Sequence, residues 1–288
     1  MSSDELEIKK QKLTCDHSVD SKSKETKQDS MVELKFDELE RIQQQLSSFW
    51  KYEPIRKSVD LRTLNVPVKQ IVEVLEKNDL KCERIKKAEQ SQSDLISSVY
   101  EGGARTWECT YDLLNYIENE KMYFRDKKVL DLGCGTGLVG IMCLSRRATC
   151  HFQDFNDEVL KYITFPNVKE NVYYFPENNF TSCKFLCGDW IVFSNFWLEN
   201  YPKEKFDYIF TSETIYKEDN YHKLHSVFED LLSPQGKIYL AAKTFYFGPG
   251  GGLYTFLEFL NNRKKFEYKL VWQYINGLTR EIYEIKFK

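Results

Sequence analysis

One glycine-rich segment near the middle of the chain limits the fold more than any other feature. It reads Val129-Leu-Asp-Leu-Gly-Cys-Gly-Thr-Gly-Leu-Val-Gly140 and carries four of the 13 glycines. Apolar runs on either side predict a strand at 128–132 and a helix at 138–147. Glycine is used where a backbone takes a positive φ or approaches a ligand closely. The segment is therefore predicted to be a strand-to-helix turn of the kind that binds nucleotides.

Strand-like and helix-like segments alternate after this turn, which favours a parallel sheet with helices on both faces. Short apolar runs predict four more strands, at residues 150–155, 184–187, 207–211 and 237–242. Two further strand-like segments, 266–275 and 279–287, are separated by Asn276-Gly277-Leu278, and Asn-Gly is a strong hairpin signal. The sequence thus predicts an α/β, Rossmann-like fold with a seven-stranded sheet. Five strands are parallel, and the last two form an antiparallel C-terminal hairpin.

The chain divides by composition into three parts. Residues 1–30 are highly charged and hold no aromatic residue, glycine or proline, which is typical of a disordered tail. Residues 31–93 are assigned to an N-terminal extension, in which 68–77 and 80–89 each fit a helix or a strand. Residues 94–288 are assigned to the domain that contains the alternating pattern.

The charge balance and the cysteines restrict the partners and the location. Lys and Arg total 41 and Asp and Glu total 44, so a net charge of −3 gives no general attraction to nucleic acid or anionic lipid. No apolar run reaches the roughly 18 residues that span a bilayer, and the N-terminus lacks a secretory signal. The eight cysteines include no Cys-x-x-Cys pair, so we expect reduced thiols and no metal site. We therefore expect a cytoplasmic monomer, with a nuclear share left open.

Polar residues or glycine follow each of the predicted parallel strands. In an open α/β sheet, ligands bind outside the carboxyl ends of the strands. Asp154 ends the second strand, 17 residues after Gly137, where a carboxylate can accept both ribose hydroxyl protons. After the third strand, Asp189 can accept from an adenine amine while Trp190 covers the ring. The sequence therefore predicts that an adenosine-containing ligand lies along this edge.

Two classes of loop fit the glycine segment. Gly135-x-Gly137-x-x-Gly140 matches the fingerprint of dinucleotide-binding dehydrogenases. Asp131-x-Gly133-x-Gly135-x-Gly137 matches the loop that class I methyltransferases wrap around S-adenosylmethionine. A dehydrogenase half is expected to continue with parallel strands, whereas seven strands with an antiparallel end are the methyltransferase arrangement. The terminal hairpin therefore favours a methyltransferase.

Five segments of the chain, in order, resemble those of the histidine protein methyltransferases. They are Tyr100-Glu-Gly-Gly-Ala-Arg-Thr-Trp-Glu-Cys-Thr110, His151-Phe-Gln-Asp-Phe-Asn156, Phe165-Pro-Asn-Val168, Ser212-Glu-Thr-Ile-Tyr216 and Phe247-Gly-Pro-Gly-Gly-Gly252. The similarity runs from about residue 94 to residue 288. It implies transfer of a methyl group from S-adenosylmethionine to the tele nitrogen of a histidine in a large-subunit ribosomal protein.

The resemblance also implies roles for individual residues. Those implied to bind the cofactor are Trp107, Glu108, Thr110, Asp131, Gly133, Gly135, Asp154, Asn156, Asp189, Trp190 and Ser212. Glu213 and Tyr216 are implied to border the methyl group and the acceptor, and they are the candidate catalytic residues.

Two considerations favour histidine over lysine as the methyl acceptor: the pKa values of the two side chains, and one difference from the sequence of related lysine enzymes. Lysine, with a pKa near 10.4, must lose a proton before it can attack, whereas histidine, near 6.5, is largely neutral at pH 7. A carboxylate that holds the proton on the other ring nitrogen would leave the tele nitrogen free, and Glu213 is the candidate. Related lysine enzymes often carry Asp-x-x-Tyr where this chain has Glu213-x-x-Tyr216, which favours a non-lysine acceptor. A lysine or small-molecule methyltransferase, and a non-catalytic ribosome-assembly factor that binds adenosylmethionine, remain alternatives.

Overall fold

A computed structural model describes residues 31–55, 61–175 and 180–288. Segment 1–30, predicted to be a disordered tail, lies outside the described residues. In the part of the chain that the structure describes, no helix is both long and apolar enough to cross a membrane.

Most of the strands form one central sheet. In chain order they are β1 (Val32–Leu34), β2 (Tyr52–Pro54), β3 (Arg62–Leu64), β4 (Lys128–Leu132), β5 (Thr149–Asp154), β6 (Phe185–Cys187), β7 (Phe206–Ser212), β8 (Leu232–Lys243), β9 (Phe266–Tyr274) and β10 (Arg280–Phe287). The sheet has the order β1-β6-β5-β4-β7-β8-β10-β9, while β2 and β3 pair with each other. In this order the five neighbouring strands β6, β5, β4, β7 and β8 are parallel to one another. Strand β10 lies between β8 and β9 and is antiparallel to both. The five parallel strands and the C-terminal hairpin are therefore confirmed.

The strand order reverses at β4, because β5 lies on one side of it and β7 on the other. Such a switch point leaves a crevice at the carboxyl ends of the two flanking strands, where α/β proteins bind ligands. The glycine segment leaves β4 at this point and enters the next helix. The topology therefore puts the glycine loop at the middle of the sheet edge where a ligand is expected.

An eighth strand, β1, joins the sheet and was not part of the prediction. It pairs antiparallel with β6 through Val32 opposite Cys187 and Leu34 opposite Phe185. Glu33 anchors it, since its carboxylate pairs with Lys184 Nζ at 2.8 Å and accepts from the Tyr201 hydroxyl at 2.9 Å. Part of the predicted N-terminal extension is thus built into the sheet itself, while the boundary at residue 94 stays a prediction.

Helices cover both faces of the sheet. They are α1 (Phe36–Leu46), α2 (Val68–Lys77), α3 (Glu83–Gln90), α4 (Glu108–Asn119), α5 (Leu138–Ser145), α6 (Asp157–Val159), α7 (Phe165–Val172), α8 (Trp190–Asn200), α9 (Tyr221–Leu231) and α10 (Leu253–Arg263), with a π-helical turn, Leu160–Thr164, between α6 and α7. The two segments that fitted either a helix or a strand are α2 and α3. Successive β4 side chains point to opposite faces, so Val129 packs with α4 and α5 while Leu130 packs with α8 and α9.

The glycine at the start of α5 allows this helix to lie close to the sheet. A Cβ atom at Gly140 would lie 2.3 Å from Cε1 of Phe152, which is far inside van der Waals contact. Every residue from Leu138 to Leu144 is buried, so the helix is enclosed on all sides. The fourth glycine of the segment therefore has a packing role, and of the three before it only Gly133 and Gly135 line the cleft described below.

Candidate active site

A cleft opens at the carboxyl ends of the parallel strands. It encloses about 920 Å³, including the space open to solvent at its mouth. The glycine loop forms its floor, and the ends of β5, β6 and β7 contribute to its wall together with residues 97–110.

Gly135 brings the loop backbone into contact with the end of β5. It has φ +49°, and its N–H donates to Oδ2 of Asp154 at 2.9 Å. A Cβ atom there would lie 3.1 Å from the carbonyl oxygen of Gly103, so a side chain would press on the segment that covers the loop. The glycine is required by its close approach as well as by its backbone conformation.

Asp154 lies in the wall of the cleft, where the sequence analysis placed a ribose-binding carboxylate. Its second oxygen accepts from the Asn156 N–H at 3.0 Å. Burial raises the pKa of Asp154 to about 6, although its backbone hydrogen bonds act to lower it. Backbone N–H groups of Gly135, Phe155 and Asn156 use three of the roughly four acceptor positions of the carboxylate, which leaves one for a ribose hydroxyl of a bound ligand.

The two residues predicted to hold adenine also line the cleft. Asp189 caps α8 by accepting from the Ile191 N–H at 3.0 Å, and its other oxygen pairs with Lys223 Nζ at 2.6 Å. The Trp190 indole N–H donates to Oε1 of Gln153 at 3.0 Å, which holds the ring in a fixed orientation beside the loop. The structure therefore brings an aromatic face and a carboxylate together at this end of the cleft.

Trp107, Thr110 and Ser212 line the cleft at its other end, close to the start of α4. The Thr110 and Ser212 hydroxyl oxygens are 2.9 Å apart, so one donates to the other. The Trp107 indole N–H donates to the Gly102 carbonyl at 3.2 Å.

Three residues that the resemblance assigned to the cofactor have other contacts. Asp131 is buried under the loop, where Oδ2 accepts from the Gly140 N–H at 2.8 Å and burial raises its pKa to about 8. Asn156 is fully buried, and its side-chain amide binds the backbone of Val99 and Glu101. The Glu108 side chain is 60% exposed and pairs with Lys243, so it faces away from the cleft. Asp131 and Asn156 therefore shape the loop and the wall, and direct contact with the ligand is not the role that their geometry supports.

Glu213 is also engaged, which changes the role that the sequence suggested for it. It has φ +58°, a left-handed conformation that is uncommon for a residue with a side chain. Its Oε2 accepts from the Tyr246 hydroxyl at 2.6 Å, while Oε1 lies 3.3 Å from Lys243 Nζ and 3.4 Å from the Cys109 nitrogen. Three donors, one of them the charged Lys243, already hold the two oxygens, so the geometry favours a positioning role for Glu213, and the expected contact with the second ring nitrogen of the acceptor stays a prediction.

Lys243 and Tyr246 were missed by the sequence analysis. Lys243 ends the fifth parallel strand and Tyr246 follows it, so the rule that ligands lie at strand ends could have found them. Burial acts to lower the pKa of Lys243, but the carboxylates of Glu213 and Glu108 outweigh it and raise the pKa. The lysine is therefore a charged partner that neutralises the buried Glu213.

Tyr216 leads to a second carboxylate that the sequence analysis did not single out. Its hydroxyl donates a short hydrogen bond to Oε2 of Glu101. The other oxygen of Glu101 accepts from the Ser98 N–H at 2.8 Å. Burial and then the Glu101 carboxylate raise the pKa of Tyr216, so the phenol keeps its proton and stays a donor. An acidic residue directly before Gly102-Gly103 was the available signal.

The residues of the cleft fit S-adenosylmethionine. Gly133 has φ +66°, and a Cβ atom there would lie 2.7 Å from Cγ2 of Thr214, so the loop packs against the segment after β7 only without a side chain. The wall of the cleft offers a carboxylate at Asp154, which can accept from ribose hydroxyls, and an indole face at Trp190, which can cover adenine.

Comparisons with known proteins agree with the site. A family model described as lysine methyltransferase matches residues 90–246, which include the glycine loop and the ends of β5 to β8. The chain is 43% identical over 224 residues to a histidine protein methyltransferase 1 homolog from Bos taurus, covering 71% of this chain and 60% of that protein. A homolog of the same name from Dictyostelium discoideum is 42% identical over 199 residues, covering 68% of this chain and 62% of that protein.

Among solved structures, a TehB-like SAM-dependent methyltransferase from Corynebacterium glutamicum aligns with a TM-score of 0.43 and 17% identity, covering 72% of this chain and 95% of that chain. The match to the two curated relatives spans only about 60% of their length. The family model that matches residues 90–246, together with the glycine loop after β4, nevertheless identifies the family and its cofactor, S-adenosylmethionine. The chain belongs to the histidine protein methyltransferase family of class I, seven-strand methyltransferases.

Proposed function

We propose that this protein methylates the tele nitrogen of a histidine in a protein substrate. The observation that carries the proposal is the 43% identity to a relative named as a histidine protein methyltransferase, over an alignment that covers 71% of this chain. The cleft supports it, since it combines a loop for the methyl donor with a polar wall where an acceptor can lie.

S-adenosylmethionine supplies a methyl group on a positively charged sulfur. Trp107, Gly133, Gly135, Asp154 and Trp190 would hold it, because they line the cleft and offer the matching surfaces. These residues need no proton transfer to do so. Their contribution is to fix the donor in one position and to keep water away from it.

A neutral imidazole needs positioning more than it needs a base. With an unperturbed pKa near 6.5, most histidine is already neutral at pH 7 and has a lone pair on one ring nitrogen. The enzyme has only to select the tautomer that leaves the tele nitrogen free and to align it with the methyl group.

We further propose a large-subunit ribosomal protein as the substrate, on the strength of the segments that resemble the histidine protein methyltransferases. The test is a labelled-methyl transfer assay on ribosomal subunits and on the free protein pool, with mass spectrometry to locate the mark. Methyl-histidine in a large-subunit protein is the expected product. Methyl-histidine in other proteins alone would overturn the ribosomal part, and no methyl-histidine in either pool would overturn the whole proposal.

Lysine methylation is the second candidate, because the matching family model is described as lysine methyltransferase. The same assay separates the two, since methyl-lysine without methyl-histidine would establish the alternative. The expected monomeric state and the cytoplasmic location, with a share in the nucleus, also stay proposals.

A further inference from the structure

Glu101 and Tyr216 lie where the cleft meets a second, outer groove. The outer groove encloses about 750 Å³, including the space open to solvent, and its other lining residues are Leu95, Ser97, Lys217, Gly248 and Pro249. Glu101 and Tyr216 line both spaces, as do Ser97 and Lys217, so these four residues lie where the two spaces adjoin. Glu101 is the only carboxylate among the four.

Residues next to Glu101 and Tyr216 connect the chain segments that form the outer groove. Lys217 Nζ donates to the Ser97 hydroxyl at 2.6 Å, which joins the segment before Glu101 to the segment after Tyr216. The loop with Gly248 and Pro249 is attached from the other side, because the Gly251 N–H donates to the Tyr216 carbonyl at 2.9 Å. Three separate stretches of chain therefore converge on the pair.

Glu101 has acceptor capacity left. Its two hydrogen bonds, from the Ser98 N–H and the Tyr216 hydroxyl, use one position on each oxygen, and an ionised carboxylate offers about four. The side chain is half-buried and lines both spaces, so a donor on a bound ligand can approach it. Glu213 differs in this respect, since three donors, one of them the charged Lys243, hold its two oxygens and its side chain is 7% exposed.

We propose that the Glu101 carboxylate, aligned by Tyr216 and Ser98, accepts the pros N–H of the acceptor histidine, which enters through the outer groove. This inference rests on the proposed function and assigns the acceptor-binding group within it. Accepting the pros proton selects the tautomer in which the tele nitrogen carries the lone pair.

The transfer step balances with this arrangement. A bond forms from the tele nitrogen to the methyl carbon as the bond from that carbon to sulfur breaks, and the electron pair of the broken bond stays on sulfur. The positive charge moves from the sulfur to the imidazole ring. Glu101 stabilises this imidazolium through the pros N–H, and the pros proton is lost to water after release.

The same carboxylate disfavours a lysine acceptor. An adjacent negative charge stabilises the ammonium form and raises the pKa of a lysine amine, which leaves less of the nucleophilic neutral form. A neutral imidazole suffers no such loss, because its attacking nitrogen carries no proton in the selected tautomer. Glu101 therefore distinguishes the two acceptors by charge.

The core of the experiment crosses two enzymes with two peptide libraries, and further variants and ribosomal subunits extend it. The enzymes are the wild type and Glu101→Gln, with Glu267→Gln on the distant strand β9 as the matched control. The substrates are a pooled library of 15-residue peptides centred on histidine and the same library centred on pros-methylhistidine, which lacks the N–H. Ribosomal subunits serve as a third substrate, and calorimetry with adenosylhomocysteine checks that each variant keeps a formed cofactor site.

With the histidine substrates, we expect Glu101→Gln to lower kcat/KM by about 10- to 100-fold, the usual worth of a hydrogen bond to a charged group. The ratio of tele-methylhistidine to pros-methylhistidine in the product should also fall, while the Kd for adenosylhomocysteine stays within about twofold. The wild type should methylate the pros-methylhistidine library more slowly than the histidine library. On the pros-methylhistidine library, Glu101→Gln should be no slower than the wild type. A Tyr216→Phe variant should shift the isomer ratio in the same direction, by less.

The outcomes separate the two proposals. Wild-type enzyme that makes methyl-histidine, with an unchanged isomer ratio and turnover in Glu101→Gln, would overturn the role of Glu101 and leave the proposed function standing. Additive losses from the variant and the blocked substrate would overturn it as well. Wild-type enzyme that makes no methyl-histidine on any of these substrates would overturn the proposed function and the inference with it.

Discussion

The Tyr246 hydroxyl donates to Oε2 of Glu213 at 2.6 Å, and this bond joins the end of β7 to the loop after β8. Lys243 Nζ lies 3.3 Å from the other oxygen of Glu213, so the carboxylate is held from two sides. The Gly251 N–H adds a backbone link to the Tyr216 carbonyl. The part of the cleft wall that contains Glu213 and Tyr216 is therefore a single connected unit.

Tyr246→Phe should destabilise this unit. It removes one donor from a buried carboxylate, which should lower the free energy of unfolding by about 1–3 kcal/mol. Urea denaturation of the variant measures the change. Tyr254→Phe is the control, because Tyr254 is 66% exposed and should tolerate the loss of its hydroxyl. Equal stability of the two variants would contradict the positioning role of Glu213.

The affinity for adenosylhomocysteine should depend on pH through Asp154. Its pKa is raised to about 6, so the carboxylate takes up a proton as the pH falls through that value. Ribose hydroxyls donate best to the ionised form, so the affinity should be constant above about pH 7 and should weaken below pH 6, by up to about tenfold per unit. Calorimetry between pH 5 and pH 8 tests this, and Asp154→Asn should give a weak affinity that no longer changes with pH. A wild-type Kd that stays constant across this range would contradict the ribose role.

The raised pKa of Asp154 affects the stability of the fold in the opposite direction to its effect on ligand affinity. Because the pKa of Asp154 is higher in the folded than in the unfolded chain, the folded state binds more protons between about pH 4 and pH 6. The contribution of this group to the free energy of unfolding should therefore decrease as the pH rises through that window. Denaturation curves of the wild type and Asp154→Asn at pH 4.5 and 6.5 should show a smaller decrease in the variant.

Gly140→Ala should weaken the packing of α5 on the sheet. The new Cβ atom would meet Phe152 at 2.3 Å, and overpacking of this kind costs about 1–3 kcal/mol. Adding Phe152→Leu should recover part of the loss, because it removes the ring atom that the alanine would strike. Thermal unfolding of the two single variants and the double variant gives the coupling. Strictly additive effects would show that the contact is not the cause.

Turnover should have the pH profile of an imidazole acceptor. The rate is expected to rise between about pH 6 and pH 7 as the acceptor loses its proton, and then to level off. A lysine acceptor would instead gain rate towards pH 9–10. Initial rates on ribosomal subunits between pH 5.5 and pH 10, with saturating methyl donor, distinguish the two profiles.

The features that the sequence predicted well are those with local causes. The hairpin follows from Asn276-Gly277 between two strand-like segments, and the glycine loop follows from four closely spaced glycines between a strand and a helix. Asp154 was placed correctly at the wall of the cleft, because the end of a strand next to the switch point can lie nowhere else.

The features that were missed depend on partners far along the chain. β1 is only three residues long, and the strand it pairs with lies about 150 residues later, so no periodicity could indicate it. Glu213 looked like a free carboxylate because its donors, Lys243 and Tyr246, reach it from the end of β8 and from the loop after it. Asn156 follows Asp154 by two residues, but its amide is turned to the backbone at Val99 and Glu101.

The short strand β1 also affects how the protein behaves in a crowded solution. Without it, β6 would be the last strand of the sheet and would present a row of unpaired backbone groups, which is a template for edge-to-edge aggregation. β1 occupies that row with three residues, and its own outer side is only three residues long, which makes it a poor partner for another strand. Three residues near the start of the described chain thus protect this edge of the sheet against association between copies.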